Sequence, residues 1–296
     1  MKIVTHEIFD SLFEEKSIRV FMRRLDLISN PVSGNKYFKL KYNISHALEK
    51  KYSSIITFGG AYSNHILATS IICNQNKLRS IGYIRGEEKT SFNPTLKEAI
   101  KNGMEIKYLN RKDYSKIKNE IFLKNLLKEY KNYYLLPEGG TNNLAIAGAE
   151  EILELNEDYQ YVCCPVGTGG TISGIINKSS SESKVIGFSS LKGINSLKIE
   201  IEEQTNKKNW IINEDYSGKG YAKISKDLID FINFFFRDKK IILDVVYTAK
   251  MVMGIYDLIK KKYFKNGSRI LIVHTGGVQG NRGMNKRFNL NLPHNF

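Results

Sequence analysis

Four short apolar stretches of this chain each end in a glycine-rich turn that leads toward a helix-compatible segment. The stretches are SSIITF (53–58), NYYLLP (132–137), YQYVCCPV (159–166) and RILIVH (269–274). Strands that alternate with helices are typical of parallel sheets covered by helices on both faces. The carboxyl ends of parallel strands carry the ligand site. We therefore expect the turns FGGAYSNH, PEGGTNN, PVGTGGT and HTGGVQG to meet in one cleft.

The same alternation predicts the rest of the fold. Further strands are expected at 80–84, 105–109 and 184–190, and helices at 37–50, 63–74, 94–103, 115–131, 144–155, 195–204, 223–236 and 249–264. The predicted fold class is α/β, with two parallel-type sheets covered by helices. No low-complexity linker separates two continuous halves, so we expect discontinuous domains. Residues 1–40 and 149–296 would form the larger domain, and 41–148 a smaller inserted α/β domain.

Charge and cysteine content limit the partners and the compartment. The 296 residues carry a formal net charge of +15, but the lysines are scattered along the chain, which argues against nucleic acid as a partner. Cys73, Cys163 and Cys164 form no metal-binding pattern, and their small odd number fits a reducing compartment. No apolar run approaches the length of a membrane helix, and the first residues lack a signal-peptide core. We expect a cytoplasmic protein without a metal or a membrane partner.

The turn after the strand at 159–166 continues as GTGGT, residues 167–171. Glycines that precede a helix place backbone N–H groups at a helix N-terminus, where they can bind phosphate. The turn lacks the lysine of a P-loop, and Thr171 stands where the dinucleotide fingerprint requires its last glycine. Two interpretations stay open from these residues alone: a cup for the phosphate of a small monoester cofactor, or a plain tight turn.

Two further segments carry candidate chemistry. In SGNKYFK (33–39) a sharp turn at Gly34 and Asn35 is followed by Lys36 at the start of a helix. A lysine in such a place is solvated in most proteins. In FGGAYSNH (58–65) Ser63 and Asn64 stand at a second helix start, where they could bind an anion or a ring hydroxyl, or simply cap the helix.

Read together, these motifs resemble one enzyme family. GNK before a helix (34–36), GG-x-x-SN (59–64), GTGGT (167–171) and VYT before a late helix (246–248) are similar to a pyridoxal-phosphate family. That family contains 1-aminocyclopropane-1-carboxylate deaminase and D-cysteine desulfhydrase, within the fold type II class typified by tryptophan synthase β. The resemblance covers about residues 23–280. It implies a two-domain fold type II enzyme with pyridoxal 5'-phosphate, a small amino-acid substrate and a homodimer.

The resemblance also implies a role for each matching residue. Lys36 would hold the cofactor as a Schiff base and move the substrate α-proton. Ser63, with the N–H groups of Asn64 and His65, would bind the substrate carboxylate. The Asn64 amide would donate to the phenolic oxygen of the cofactor. The phosphate would lie in the loop made by Gly167, Thr168, Gly169, Gly170 and Thr171.

Tyrosines and threonines later in the chain complete the implied site. Tyr247 and Tyr221 match two active-site tyrosines of the family that contact substrate or share in proton transfer. Thr248 would face the pyridine nitrogen, where the deaminases carry a glutamate that keeps this nitrogen protonated. Thr275 matches the desulfhydrases, since the deaminases carry a leucine there. One departure is Leu25 in Arg-Leu-Asp-Leu (24–27), which replaces a supporting acid of the family.

The residues at 248 and 275 favour the desulfhydrase branch. We therefore expect α,β-elimination on a small amino acid similar to D-cysteine, with pyruvate, ammonia and hydrogen sulfide as products. The alternatives are 1-aminocyclopropane-1-carboxylate deaminase, a serine or threonine dehydratase or racemase, and a non-catalytic protein that retains the cofactor pocket. A nucleotide-binding dehydrogenase is disfavoured, because the chain lacks both the GxGxxG fingerprint and a following acidic ribose ligand.

Overall fold

A computed structural model describes residues 3–28, 32–88, 91–155, 157–218, 220 and 223–294. The strands in these ranges are β1 (Thr5–Ile8), β2 (Arg19–Arg24), β3 (Ser54–Gly60), β4 (Arg79–Arg85), β5 (Met104–Leu109), β6 (Tyr133–Leu136), β7 (Tyr161–Val166), β8 (Lys184–Ser189), β9 (Trp210–Asn213) and β10 (Arg269–His274). The helices are α1 (Ser11–Glu15), α2 (Asn35–Glu49), α3 (Asn64–Gln75), α4 (Pro94–Lys101), α5 (Arg111–Tyr114), α6 (Glu120–Leu126), α7 (Asn143–Glu150), α8 (Gly170–Lys178), α9 (Asn195–Glu202), α10 (Lys226–Lys239), α11 (Thr248–Lys260) and α12 (Gly280–Phe288).

The strands form two separate sheets. One has six strands in the order β1-β2-β10-β7-β8-β9, and the other has four in the order β5-β4-β3-β6. Every pairing is parallel except that of β1 with β2. The α/β class with two mostly parallel, helix-covered sheets is thus confirmed. The middle of the chain builds the four-stranded sheet, between strands of the six-stranded one.

Both faces of the six-stranded sheet are buried. Along β10, Ile270 and Ile272 belong to one apolar cluster, while Leu271 and Val273 belong to the cluster on the opposite face. This alternation follows from the two-residue period of a strand. Helices cover both faces, which explains why β7 and β10 are apolar at nearly every position.

Some elements differ from the sequence-based expectation. The helix expected at 115–131 is wrong: α5 ends at Tyr114 and α6 covers only Glu120–Leu126. Asn119 interrupts the pattern, because its side chain accepts a hydrogen bond from the Phe122 N–H and starts a new helix. Strands β1, β2 and β9 and helix α12 were not anticipated. No helix in the described part of the chain is long and apolar enough to cross a membrane.

Helix α2 contributes to the cores next to both sheets. Phe38 packs into a cluster beside the six-stranded sheet, whereas Leu40, Ile44 and Ala47 pack with residues of the four-stranded sheet. A boundary between residues 40 and 41 therefore falls inside a continuous helix. The division into 1–40 with 149–296 and into 41–148 stays a prediction.

The short segment after β2 contains a buried ion pair. Arg24 donates to both carboxylate oxygens of Asp26, at 2.9 Å from Nε to Oδ1 and 2.6 Å from Nη2 to Oδ2. Both side chains are almost fully buried, at 4% and 1% exposure. Leu25 lies in the core with 0% exposure, and its carbonyl accepts from the Gly34 N–H. An apolar residue at position 25 thus suits its surroundings, and Asp26 supplies the acid beside Arg24.

This pair gives a test of what holds the turn before α2. Asp26→Asn should lower the free energy of unfolding by about 3–5 kcal/mol, because it leaves the Arg24 charge buried without its partner. Glu7→Gln is the matched control, since Arg19 holds Glu7 with the same two-bond geometry on the exposed surface. It should cost less than about 1 kcal/mol. Urea unfolding of both variants gives the comparison, and equal losses would contradict it.

Candidate active site

The carboxyl ends of the two sheets face a shared cleft with a volume of about 1410 Å³. All four glycine-rich turns line it, with residues from 59–65, 138–139, 165–171 and 275–277. The turns follow β3 and β6 of the four-stranded sheet, and β7 and β10 of the six-stranded sheet. The expected convergence of these turns is therefore present.

Lys36 lies in the first turn of α2, at the wall of the cleft. Gly34 precedes the helix with φ +75°, and a Cβ atom there would lie 2.3 Å from the Thr275 carbonyl oxygen. Only glycine fits such a place. Next to it, the Asn35 N–H donates to the Thr275 carbonyl, and the Asn35 side chain donates to Thr171 Oγ1 at 2.8 Å. The helix start is thereby fixed to two of the glycine-rich turns.

The environment of Lys36 brings its pKa closer to neutrality than that of a solvated lysine. Burial lowers the pKa of Lys36 to about 8, against an opposing effect of the Asp244 carboxylate. The ammonium contacts Asn35 Oδ1 at 3.2 Å. A lysine whose pKa lies near neutrality can act both as nucleophile and as base.

Lys39 is a buried lysine beside Lys36 on α2, and the sequence did not lead us to predict a role for it. Its side chain is 1% exposed, and Nζ donates to the Gly139 carbonyl at 2.7 Å and to Thr141 Oγ1 at 2.9 Å. Thr168 Oγ1 lies 3.5 Å away. Among the described residues no carboxylate pairs with it, and burial lowers the pKa of Lys39 well below its usual value. Its position one helical turn after Lys36 was the available signal.

The loop beside Lys39 fits a phosphate group. Gly169 caps α8, so N–H groups of the first helical turn are directed toward the cleft. The hydroxyls of Thr168 and Thr141 lie 2.6 Å apart at the same place. A buried cation that contacts only neutral oxygens is costly, and a bound dianion would supply its missing counter-charge. The residues present thus suit the phosphate of pyridoxal phosphate better than a plain tight turn.

The start of α3 forms the opposite side of the cleft. Ser63 caps this helix, and its Oγ accepts from the N–H groups of His65 and Ile66 at 3.2 and 3.3 Å. The Ser63 hydroxyl hydrogen stays available to a ligand. The His65 N–H, expected to bind substrate, is already directed at Ser63.

The imidazole of His65 is buried and neutral. Its Nε2 lies 2.8 Å from Thr57 Oγ1, and that hydroxyl donates to the Leu136 carbonyl. Nε2 must therefore carry the hydrogen that it donates to Thr57. Burial, together with the charges of Lys36 and Lys39, lowers the pKa of His65 well below its usual value.

The tyrosines and threonines from the sequence analysis lie in different environments. Tyr247 lines the cleft, and its ring packs against the phosphate loop, 3.3 Å from where a Cβ of Gly167 would lie. Thr275 also lines the cleft and is 7% exposed. Tyr221 lies outside the described residues. Thr248 is fully buried and is not among the residues that line the cleft.

Asp244, which the sequence analysis did not single out, engages Thr248. The Thr248 hydroxyl donates to Asp244 Oδ1 at 2.9 Å and accepts from the Asp244 N–H at 2.8 Å. The same carboxylate accepts from the backbone N–H groups of residues 246, 247 and 248. Asp244 thus caps α11 and holds the Thr248 hydroxyl, and the expected contact of Thr248 with the pyridine nitrogen stays a prediction.

Comparison with known proteins agrees with this geometry. The family model described as pyridoxal-phosphate dependent enzyme matches residues 9–276. The chain belongs to this family. Its cofactor is pyridoxal phosphate, and its fold is that of the fold type II enzymes.

Individual relatives place it within the 1-aminocyclopropane-1-carboxylate deaminase and D-cysteine desulfhydrase family. A Thermotoga maritima protein provisionally named 1-aminocyclopropane-1-carboxylate deaminase is 31% identical, over 91% of this chain and 92% of that protein. A mitochondrial Arabidopsis thaliana protein named bifunctional D-cysteine desulfhydrase/1-aminocyclopropane-1-carboxylate deaminase is 28% identical, over 88% of this chain and 73% of its own. The crystal structure of a homologue of the deaminase superposes with a TM-score of 0.82 at 24% identity, covering 97% of this chain and 92% of that one.

The role of Lys39 can be tested with two forms of the cofactor. Lys39→Met should weaken binding of pyridoxal phosphate about 10- to 100-fold, because a charge-assisted hydrogen bond to phosphate is lost. Binding of pyridoxal, which lacks the phosphate, should stay within about twofold. Lys41→Met is the control, since Lys41 pairs with Glu151 at 2.7 Å outside the cleft. Equal losses for the two ligands would contradict a phosphate contact.

The pKa of Lys36 predicts how cofactor capture depends on pH. Only the neutral amine attacks an aldehyde, so the rate at which apoprotein gains the visible absorbance of bound cofactor should rise with pH. The rise should level off above about 8, where Lys36 is deprotonated. Stopped-flow absorbance measures this rate, and Lys36→Ala should show no such absorbance. A rate that is flat from pH 6 to 9 would exclude a titrating Lys36.

Proposed function

We propose that this enzyme catalyses α,β-elimination on a small amino acid similar to D-cysteine. Water is consumed, and pyruvate, ammonia and hydrogen sulfide are released. The observation that carries this proposal is the threonine at position 248, which has no carboxylate to offer a bound pyridine ring and whose hydroxyl is hydrogen-bonded to Asp244. Elimination depends less on such a carboxylate than cyclopropane opening does, because the departing thiolate removes the negative charge.

The chain supplies a set of groups suited to this reaction. When bound, pyridoxal phosphate withdraws electrons from the α-carbon of the substrate and so acidifies its α-proton. Lys36, with its pKa lowered to about 8, would accept that proton. Ser63 would donate its hydroxyl to the substrate carboxylate, and Asn64 would donate to the phenolic oxygen of the cofactor.

Other residues would hold the cofactor and complete the site. Lys39 and the loop of residues 167–171 would hold the phosphate. Tyr247, whose ring packs against that loop, would contact the substrate or share in proton transfer. Tyr221 would have the same role. The Thr275 side chain would contribute to the substrate side of the cleft.

The second candidate is 1-aminocyclopropane-1-carboxylate deamination. It is favoured by the name of the relative from Thermotoga maritima, whereas the name of the Arabidopsis thaliana relative gives both activities. Both reactions begin with the same cofactor and a lysine base. The two reactions differ in how much negative charge the pyridine ring of the cofactor must hold. The residue at position 248 therefore bears on which of the two reactions the enzyme catalyses.

The family resemblance and the cysteines also bear on the oligomeric state and the cellular compartment of the enzyme. We propose a homodimer, as is common among members of the family. The cytoplasm is proposed as its compartment, supported by the three cysteines, which are all buried and unpaired.

The substrate assay distinguishes the two reactions. Purified holoenzyme should release pyruvate and sulfide from D-cysteine, and at most about 1% as much 2-oxobutanoate from 1-aminocyclopropane-1-carboxylate, a difference of about 2.7 kcal/mol in barrier. Lys36→Ala should abolish turnover of both. L-cysteine serves to establish which enantiomer is used. Equal efficiency on D-cysteine and the cyclopropane substrate would refute the proposal.

A further inference from the structure

Helix α12 contacts the elements of the four-stranded sheet along one stripe. Gln279, just before this helix, contacts Asn64 and Thr95, and Arg282 forms an ion pair with Glu98. One residue further on, a Cβ at position 283 would lie 2.7 Å from the Tyr62 ring. Positions 279, 282 and 283 follow the spacing of one helix face. This stripe joins the last helix to the residues around Asn64.

Gln279 holds one end of the Asn64 amide. Its Nε2 donates to Asn64 Oδ1, and its own Oε1 accepts from Thr95 Oγ1 at 3.2 Å. Thr95 is fully buried. The side chain of Gln279 is not among those lining the cleft, whereas Asn64 does line it. Of the two hydrogen-bond partners of Gln279, Asn64 is therefore the one that reaches the cleft.

The other end of the Asn64 amide is directed toward the turn after β10. A Cβ at Gly277 would lie only 2.6 Å from Asn64 Nδ2, so a residue with a side chain would displace this nitrogen. The two ends of an amide have nearly the same shape, and hydrogen bonds alone decide which one faces a ligand. With Oδ1 held by Gln279, the donor end is left to face the cleft.

We propose that Gln279 is a positioning residue that sets the polarity of Asn64 toward the cofactor. The chain Thr95–Gln279–Asn64 delivers an N–H group, not a lone pair, to the phenolic oxygen. This inference rests on the proposed contact between Asn64 and that oxygen. It does not depend on which amino acid is the substrate.

Two substitutions at position 279 separate hydrogen-bond polarity from loss of packing. Gln279→Glu leaves only acceptors, so Asn64 must turn its Nδ2 toward Glu and present Oδ1 to the phenolic oxygen. It should weaken binding of pyridoxal phosphate about tenfold or more and shift the visible absorbance maximum of the bound cofactor. Gln279→Met keeps the length of the side chain but cannot form the hydrogen bond. Its loss of affinity for pyridoxal phosphate should be smaller than that of Gln279→Glu. Arg282→Gln is the control, because it breaks a neighbouring contact of α12 that does not touch Asn64.

A double-mutant cycle identifies the route of the effect. In an Asn64→Ala background, Gln279→Glu should change cofactor affinity by less than about twofold, because no amide remains to be turned. Full additivity, or an Arg282→Gln effect equal to that of Gln279→Glu, would overturn the inference in favour of a general packing role. If Asn64→Ala alone leaves affinity and absorbance unchanged, Asn64 does not contact the cofactor, and both the proposed contact and this inference fail. If the variants show the expected changes in cofactor affinity but the enzyme does not turn over D-cysteine, only the proposed substrate is refuted.

Discussion

The buried side-chain nitrogen of Lys39 joins the two halves of the site. Two of its oxygen partners, Gly139 and Thr141, follow β6 of the four-stranded sheet, and the third, Thr168, follows β7 of the six-stranded sheet. None of them carries a charge. An isolated charge in such a place is unfavourable unless an anion joins it. A bound phosphate would therefore favour the charged form of Lys39 and, through it, strengthen the contact between the turns of both sheets.

Much of this arrangement was predictable from the sequence, because strand ends and glycines leave clear signals. The turns that contain Ser63 and Gly169 follow apolar runs, and parallel strands bring such turns together. Lys39 was missed for a physical reason: a lysine in a helix is usually solvated, and only its distance of one turn from Lys36 suggests otherwise. The break at Asn119 was missed because a helical apolar pattern does not reveal where a side chain caps a new helix.

Position 248 shows where reasoning from a matching motif reaches its limit. VYT places Thr248 at the start of a helix, but the direction of its hydroxyl depends on Asp244, four residues earlier. A threonine side chain is shorter than a glutamate side chain, and the Thr248 hydroxyl forms a hydrogen bond with the nearby carboxylate of Asp244. The same substitution that removes an acid from this position therefore also adds a hydrogen bond to the cap of α11. Both consequences separate this chain from a deaminase pattern with glutamate, and only the first could be inferred from the sequence.

Asp244 acts on Lys36 through its charge, although its hydrogen bonds are all local. Its oxygens accept from the backbone and side chain of residues 246–248, so they have little capacity left for a ligand. Its negative charge nevertheless raises the pKa of Lys36 against the larger lowering by burial. With burial alone, the pKa of Lys36 would be lower and the amine a weaker base; with full solvation, its pKa would lie near the ordinary lysine value, further from neutrality. The fixed carboxylate of Asp244 thus offsets part of the effect of burial on Lys36. The resulting pKa of about 8 allows the amine both to accept and to return a proton.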